Sequence, residues 1–229
     1  VHEINDKFQF NDVITSVIID SSVKSISHHS FFQCNSLTQV VIPSSITTIG
    51  KSAFDQCSSL TQVLFDLPAT VATIEENTFN QCTSLKQITI PDSVTTISDL
   101  AFNGCTALEQ VTLSKAVTNI GNNVFNGCKA LNEITIPETV ATIGESIFSD
   151  CESLSKVTFL TTTVTTVPKS AFEKCQKLTE ITLPSSITNI SEHSFANSGL
   201  TKIEIPSSTT TIENFVFYGC AALAEVTFP

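Results

Sequence analysis

The stretch ITIPDSVTTISDLAFNGC, residues 88–105, decides the fold, because close variants of it recur from the N-terminal region to the end of the chain. With Cys105 as the origin, Phe102 lies three residues before it and Leu108 three residues after it. Nine such units follow one another at a period of about 23 residues, a length typical of solenoid repeats. The sequence therefore predicts a stack of short turns.

Three columns of side chains carry this period. The Phe column is Phe31, Phe54, Phe79, Phe102, Phe125, Phe148, Phe172, Phe195 and Phe217. The Leu column is Leu37, Leu60, Leu85, Leu108, Leu131, Leu154, Leu178, Leu200 and Leu223. The Cys column is Cys34, Cys57, Cys82, Cys105, Cys128, Cys151, Cys175 and Cys220, with Ser198 at the remaining position. Only small changes of length interrupt the columns, namely an insertion at Leu67-Pro68, one extra Thr within 161–163 and a unit around Ser198 that is one residue shorter.

Each unit divides into a strand and a return. In LEQVTL, residues 108–113, Val111 and Leu113 alternate with Gln110 and Thr112, which is the period of a strand with one buried face. A Pro ends the strand in most units, since it has no N–H to donate. The AFNGC-type segment is too short for an isolated helix, and we expect one helical or 3₁₀ turn there. A single unit buries too little apolar surface to fold alone, so the units must stack.

The ends of the chain are less regular. Residues 1–22 are predicted to form an N-terminal irregular or cap segment with a partial repeat, in which Phe8 and Phe10 form a short strand or a cap. Val17 and Ile19 alternate as the strand end of that partial unit. Residues 23–229 are predicted to be one solenoid domain. Because the sequence stops directly after a strand, without a polar capping repeat, we expect the native protein to continue beyond it.

Composition excludes several classes of function. The chain has 22 acidic and 11 basic residues, a net charge of −11, and all its basic residues are Lys. Nucleic-acid binders carry a basic surface, often with Arg, so no nucleic-acid partner is expected. No apolar run reaches the roughly 18 residues that a membrane-spanning helix needs. Phosphate-binding Gly-rich loops, nucleophile elbows and zinc-protease motifs are absent from the sequence, so the chain is predicted not to be an enzyme.

The columns resemble the BspA-like, or Treponema pallidum-type, leucine-rich repeat family. IPSSITTIGKSAFDQCSSLTQVLF, residues 42–65, and IPETVATIGESIFSDCESLSKVTF, residues 136–159, match the family pattern nearly column for column. The resemblance covers about residues 22–229. It implies an α/β solenoid, mostly β, that forms a right-handed leucine-rich-repeat horseshoe with a parallel β-sheet on its concave face. It further implies surface or secreted proteins of host-associated bacteria and of protists, often linked to adhesion, and it supplies no catalytic residue.

The Cys and His residues are interpreted as structural. All eight Cys occupy one repeat column, and Ser198 fills the same slot, so a row of reduced, apolar thiols in a small core position is favoured over disulfides or a metal site. His29 and His193 share a column but lie seven units apart. His28-His29 is interpreted as a solvated turn rather than a ligand pair. No metal and no cofactor is predicted. Asn189-Ile190-Ser191 is a glycosylation triplet of the kind expected by chance.

The exposed strand positions are the candidate site. One column is Gln39, Gln62, Gln87, Gln110, Glu133, Lys156, Glu180, Lys202 and Glu225, and the other is Val41, Leu64, Thr89, Thr112, Thr135, Thr158, Thr182, Glu204 and Thr227. The candidate binding residues are Gln62, Leu64, Gln87, Thr89, Gln110, Thr112, Glu133, Thr135, Lys156, Thr158, Glu180 and Thr182. The alternative is a solvated sheet face on which Thr serves β-propensity. Val41 and Leu64 either form a small apolar patch or are covered by the segment around Phe8 and Phe10.

The sequence thus predicts a non-enzymatic adhesion module that is either located on the cell surface or secreted. Its concave sheet and flanking loops are predicted to bind a host, matrix or cell-surface protein. The alternative is an intracellular scaffold or assembly component that contacts neighbouring scaffold subunits. An enzyme whose site the sequence hides is the third hypothesis. The sequence identifies neither the ligand nor the oligomeric state.

Overall fold

The chain winds into a parallel-strand solenoid of about ten turns with about 23 residues per turn, as the repeat predicts. The computed structural model describes residues 3–160 and 163–228. The second insertion lies within 161–163. Thr161 and Thr162 are outside the described residues, and Thr163 is described. Three sets of contacts between neighbouring turns hold the stack together: a long sheet, a row of two-residue strands, and a row of turns.

The long sheet is the predicted concave sheet. Its parallel strands pair in the order of the chain, so each strand lies beside the strand of the next turn. Seven of them are Ser16–Val17, Gln39–Ile42, Gln62–Phe65, Gln87–Thr89, Gln110–Thr112, Glu133–Ile136 and Lys156–Phe159. Lys202–Glu204 and Glu225–Thr227 form a separate two-stranded sheet farther along.

The SVTTI-type segments supply a second row of two-residue strands. The first group is Glu3–Ile4, Ser25–Ile26 and Thr48–Ile49, the second is Thr73–Ile74, Thr96–Ile97, Asn119–Ile120 and Thr142–Ile143, and the third is Thr166–Val167, Asn189–Ile190 and Thr211–Ile212. The row is broken between the first and second groups and again between the second and third. Each break contains one of the two insertions, at Leu67-Pro68 and within 161–163. The shortened unit around Ser198 does not interrupt the row, because Asn189 still pairs with Thr211.

The returning segments are turns, and the expectation of a helical or 3₁₀ turn there is wrong. In the unit at 98–105, Leu100 and Gly104 have positive φ values of 59° and 69°. The N–H groups of Leu100, Phe102 and Gly104 donate to the following turn, whereas those of Ala101, Asn103 and Cys105 donate to carbonyls of their own turn. Left-handed residues reverse the peptide direction, so alternate N–H groups point along the stack. The only 3₁₀ helix in the described part of the chain is Asp6–Phe8.

The core between these rows is the stack of Phe rings. Neighbouring rings of the Phe column lie 5.2–5.8 Å apart between centroids, with interplanar angles of 4–20°. Leu, Cys and the inward strand residues pack around them, and most of these side chains are fully buried. Stacked aromatic pairs add to the gain from burial, so the same column that defines the repeat in sequence also joins the turns.

The N-terminal segment continues this core. Phe8 stacks on Phe31 at 5.5 Å with an interplanar angle of 9°, and Phe10 meets Phe32 edge-on at 5.3 Å. Ser16 and Val17 align with Gln39 and Val40. The segment from residue 3 thus adds a turn to the solenoid. The Phe8 ring covers the end of the Phe stack, and the Phe10 ring packs beside it on Phe32.

Candidate functional site

The candidate site is the outward surface of the long sheet, which we call the sheet face. It is defined by the two predicted columns of exposed positions. Strand alternation creates it: Val111 is buried, while Gln110 and Thr112 on either side of it are exposed. Parallel pairing aligns Gln110 with Gln87, and Thr112 with Thr89. Side chains from successive turns therefore lie in two straight rows.

The structure places all twelve predicted residues on this face. Gln62 and Thr158 are half-buried and the other ten are exposed. Ten of the twelve lie in strands, and the exceptions are Glu180 and Thr182, because residues 179–183 form no strand in the described structure. The rows are too long to act as one cleft, since they extend over many turns. They present a surface along which a partner can lie.

The first row changes character along its length. Its first four members are Gln39, Gln62, Gln87 and Gln110, and the next five alternate in sign as Glu133, Lys156, Glu180, Lys202 and Glu225. Lys202 Nζ lies 3.1 Å from Glu180 Oε2, and both side chains are well exposed. One half of the face thus carries neutral amides and the other half carries charges of alternating sign, of which Lys202 and Glu180 form an ion pair.

The second row is apolar at its start. Val41 is 39% exposed and Leu64 is 47% exposed. Because Phe8 packs on Phe31 and Phe10 on Phe32, these rings do not cover the two aliphatic residues, and the apolar patch is the correct alternative. The register of Val17 with Val40 puts Ile18 in the same row as Val41, and Ile18 is 98% exposed. Ile18 was not among the residues predicted for this row, although the alternation of Val17 and Ile19 implied an outward residue between them.

Grooves on the described part of the sheet face differ in their lining. One, of about 270 Å³, runs past Gln62, Leu64, Gln87 and Gln110, and no charged residue lines it. The other, of about 980 Å³, is lined mainly by residues 155–160, 179–184 and 202–204. The second groove contains two Lys and three Glu side chains of the face, so its surface suits a charged partner.

The Cys column has a structural role. Each Cys thiol donates to the backbone carbonyl of the Phe in the preceding turn, as Cys105 Sγ does to Phe79 O at 3.2 Å. Ser198 fills the slot in its own turn and contacts Cys220 Sγ at 3.4 Å. Burial raises the pKa of Cys105 to about 12, so this thiol stays protonated at neutral pH and is a poor nucleophile. All eight Cys are free.

The described His residues belong to turns. His28 Nδ1 accepts the backbone N–H of Lys51 at 3.0 Å, and His29 packs edge-on against Phe32. His193 stacks on Phe215 at 5.3 Å, while His2 lies outside the described residues. Within residues 3–160 and 163–228, no group of three or more His, Cys, Asp or Glu side chains is arranged to hold a metal ion.

Two polar side chains away from the face are also held by structural contacts. Asp55 is buried, which raises the pKa of its carboxyl, and Asn80 donates to it at 2.9 Å. Asn189, in the glycosylation triplet, is half-buried and its amide nitrogen donates to Ser191 Oγ and to Glu213 Oε1, each at 3.0 Å. Among the described residues, no helix has the length and apolar character needed to cross a membrane.

Known proteins share this architecture. The family model described as "BspA type Leucine rich repeat region (6 copies)" matches residues 2–128, 64–163 and 153–229. A leucine-rich repeat protein from Bacteroides ovatus superposes with a TM-score of 0.66 at 25% identity, over 99% of this chain and 70% of that one. One from Eubacterium ventriosum gives 0.60 at 25% identity, over 86% of this chain and 62% of that one. The T. pallidum leucine-rich repeat protein shares the fold, with a TM-score of 0.53 at 24% identity over 92% and 78%. No curated protein matches significantly.

Proposed function

The chain belongs to the BspA-type leucine-rich repeat family, and we propose that it is a non-enzymatic binding module that engages a protein partner with its sheet face. Membership in a leucine-rich repeat family is consistent with a role as a protein-interaction module. The observation that carries the proposal is the sheet face itself, with two rows of outward side chains aligned over successive turns. Concave solenoid surfaces of this kind commonly bind other proteins.

The chemistry of the face supports a macromolecular partner rather than a reaction. Exposed Gln, Thr, Glu and Lys side chains give hydrogen-bonding and ionic contacts spread over a length that no small molecule spans. The buried thiols and the His residues in turns are committed to structural hydrogen bonds and packing. A polar surface with many hydrogen-bonding groups, spread over several turns, is typical of the surfaces that bind proteins.

We further propose that the module acts in adhesion, on the cell surface or after secretion, with a host, matrix or cell-surface protein as its partner. Family resemblance supports this setting. Labelling of intact, non-permeabilised cells that express the protein, with an antibody raised against the chain, tests it. Surface labelling is expected, and signal seen only after permeabilisation favours a scaffold within the cell.

A binding experiment tests the function directly. The intact chain is immobilised and exposed to a panel of purified matrix and cell-surface proteins, and each hit is measured again with a variant that carries Glu133→Lys, Lys156→Glu and Glu180→Lys. The matched control changes the net charge equally by reversing charges off the face at Lys129, Glu152 and Glu192, which form ion pairs on other surfaces.

The face variant is expected to weaken binding by at least about tenfold and the control variant to leave it unchanged, because desolvated charges at an interface lose their partners. A panel with no binder contradicts adhesion. If a panel protein loses affinity only for the control variant, its binding site lies on the turns and not on the sheet face.

A further inference from the structure

An apolar row crosses three successive turns at the N-terminal end of the sheet face. It consists of Ile18, Val41 and Leu64, and we call it the aliphatic row. Their side chains are 98%, 39% and 47% exposed. Leu67, at the start of the first insertion, is 78% exposed and follows Leu64 closely in the chain. In every later described turn the same position holds Thr or Glu, so the apolar character is confined to this end.

The surroundings of the aliphatic row are neutral on one side and acidic on the other. Gln39 and Gln62, in the neighbouring row, carry amides. Asp20 and Asp66 each follow a member of the row by two residues, and both are exposed. Asp20 accepts the backbone N–H of Ser22 at 2.8 Å, a bond that lowers the pKa of its carboxyl. The Asp20 carboxyl therefore remains ionised well below neutral pH.

The spacing of the row discriminates between partners. Neighbouring parallel strands lie about 4.8 Å apart, so the three side chains project at intervals of about 4.8 Å over about 9.6 Å in total. An extended partner offers one side chain on a given face every 6.6–6.8 Å or so, which reaches about 13 Å over two intervals. An α-helix rises about 1.5 Å per residue, so residues i, i+3 or i+4, and i+7 span about 10.5 Å on one face. The row matches the helix.

We propose that the aliphatic row receives an amphipathic α-helix of the protein partner. The helix crosses the strands and presents aliphatic side chains at i, i+3 or i+4, and i+7, with basic residues along the edge that meets Asp20 and Asp66. The net charge of −11 draws such a basic helix towards the surface. The inference rests on the proposed function, because it specifies the partner for one end of the sheet face.

The test uses the intact chain and three fluorescent peptides of about 16 residues. The helical peptide is hydrocarbon-stapled, since short unconstrained helices are marginal in water, and it carries Leu at i, i+4 and i+7 and two Lys residues on one flank. The second peptide has the same composition without the staple and with Leu at i, i+2 and i+4, so that an extended conformation places the three Leu side chains on one face. The third keeps the helical Leu pattern with Glu in place of Lys. Fluorescence anisotropy gives the three dissociation constants.

The matched protein variant carries Ile18→Thr, Val41→Thr and Leu64→Thr, because Thr stands at this position in neighbouring turns such as that of Thr89 and is compatible with the fold. The control variant carries Thr95→Ala and Thr118→Ala, two exposed residues that lie beside the row of two-residue strands and not on the sheet face. Circular dichroism of both variants shows whether the solenoid is retained.

The helical peptide is expected to bind at least about tenfold more tightly than the other two, and the triple variant to lose at least about tenfold in affinity while the control loses none. Equal binding of the second peptide overturns the inference in favour of an extended partner. Self-association of the chain in sedimentation experiments that the triple variant abolishes overturns it in favour of a second copy. If the helical peptide fails while a panel protein still depends on Glu133, Lys156 and Glu180, the inference fails and the proposed function stands.

Discussion

The solenoid is lengthened at two places, and the two places respond differently. Near Leu67-Pro68 the row of two-residue strands is interrupted between Thr48–Ile49 and Thr73–Ile74, but the long sheet continues through the pair of Gln62 with Gln87. Near Thr163 the same row is interrupted between Thr142–Ile143 and Thr166–Val167, and the long sheet also ends at Lys156–Phe159.

The second place is therefore a seam in the stack. No backbone hydrogen bond among the described residues joins 180–183 to the strand on either side. An apolar cavity of about 10 Å³ lies at the same level, between Phe148 and Leu183. The Phe148 and Phe172 rings meet at 20°, the largest angle in the stack, although their centroids are still 5.6 Å apart. The turns continue to pair, since the N–H of Phe148 donates to Ala171 O at 2.9 Å.

The difference shows which contacts tolerate an insertion. An extra residue in a connection displaces the backbone next to it, so the adjacent strand pairs are lost first. The Phe rings lie on the opposite side of the core and stay stacked at both places. One interrupted row leaves the solenoid continuous. Where two rows are interrupted at the same level, the ring stack, the turns and side-chain bonds such as that from Thr163 Oγ1 to Val140 O couple the two parts without strand pairing.

The largest expected effect comes from removing one ring of the Phe stack, either at the seam or away from it. Phe102→Ala and Phe148→Ala each remove one ring from the stack and are expected to cost about 3–5 kcal/mol. We expect Phe102→Ala to unfold in one transition, and Phe148→Ala to unfold in two, because the seam has fewer other contacts. Urea titrations followed by far-ultraviolet circular dichroism and by the fluorescence of Tyr218, the only Tyr in a chain without Trp, distinguish the cases. Coincident curves for Phe148→Ala would show that the seam is no weaker than the rest.

Hydrogen exchange gives the next largest effect. The amides of Ile181 and Leu183 have no strand partner in the described structure, whereas Ile134 and Ile136 lie in a paired strand. We expect the first two to exchange at least about 30-fold faster under native conditions, equivalent to an opening free energy about 2 kcal/mol lower. Mass spectrometry after brief labelling measures this. Equal protection at the four sites contradicts the seam.

Alkaline stability probes the Cys column on the continuous side of the seam. The pKa of Cys105 is raised by burial from 9.0 to about 12, so above pH 9.0 the thiol ionises in the unfolded chain but not in the folded one. The free energy of unfolding therefore falls as pH rises through this window, by about 1.4 kcal/mol at pH 10 for this residue. Urea titrations at pH 7 and pH 10 measure the loss. Cys105→Ser keeps a donor near Phe79 O and removes the titration, so its loss should be smaller, and an unchanged loss would be evidence against a raised pKa.

The smallest effect concerns the ion pair beyond the seam. Lys202 and Glu180 are 62% and 67% exposed in their side chains, and exposed pairs contribute roughly 0–1 kcal/mol. We expect Glu180→Gln to change the free energy of unfolding by less than about 0.5 kcal/mol. A larger loss would mean that this pair replaces the missing strand contacts, and thermal unfolding at low and high salt would detect it.

Much of the fold followed from the sequence because the repeat is regular. The spacing of Phe102, Cys105 and Leu108 predicted the stack, and the alternation of Val111 with Thr112 predicted the sheet face. The turns were misjudged, because positive φ at residues such as Leu100 arises from hydrogen bonds to the next turn. Local propensity carries no information about those bonds. Ile18 was missed because its place in the row depends on pairing with the following turn.

The sequence by itself determined the repeating core, since every turn must bury the same set of apolar side chains and the pattern is written in each unit. Only the tertiary structure decided where the stack is weak and where its surface is apolar. TEITL at 179–183 fits the strand pattern as well as NEITI at 132–136 does, yet the first forms no strand in the described structure and the second contains Glu133–Ile136. A parallel strand forms only where neighbouring strands offer hydrogen-bond partners in register. The position of the strand relative to its neighbours depends on the connections that precede it.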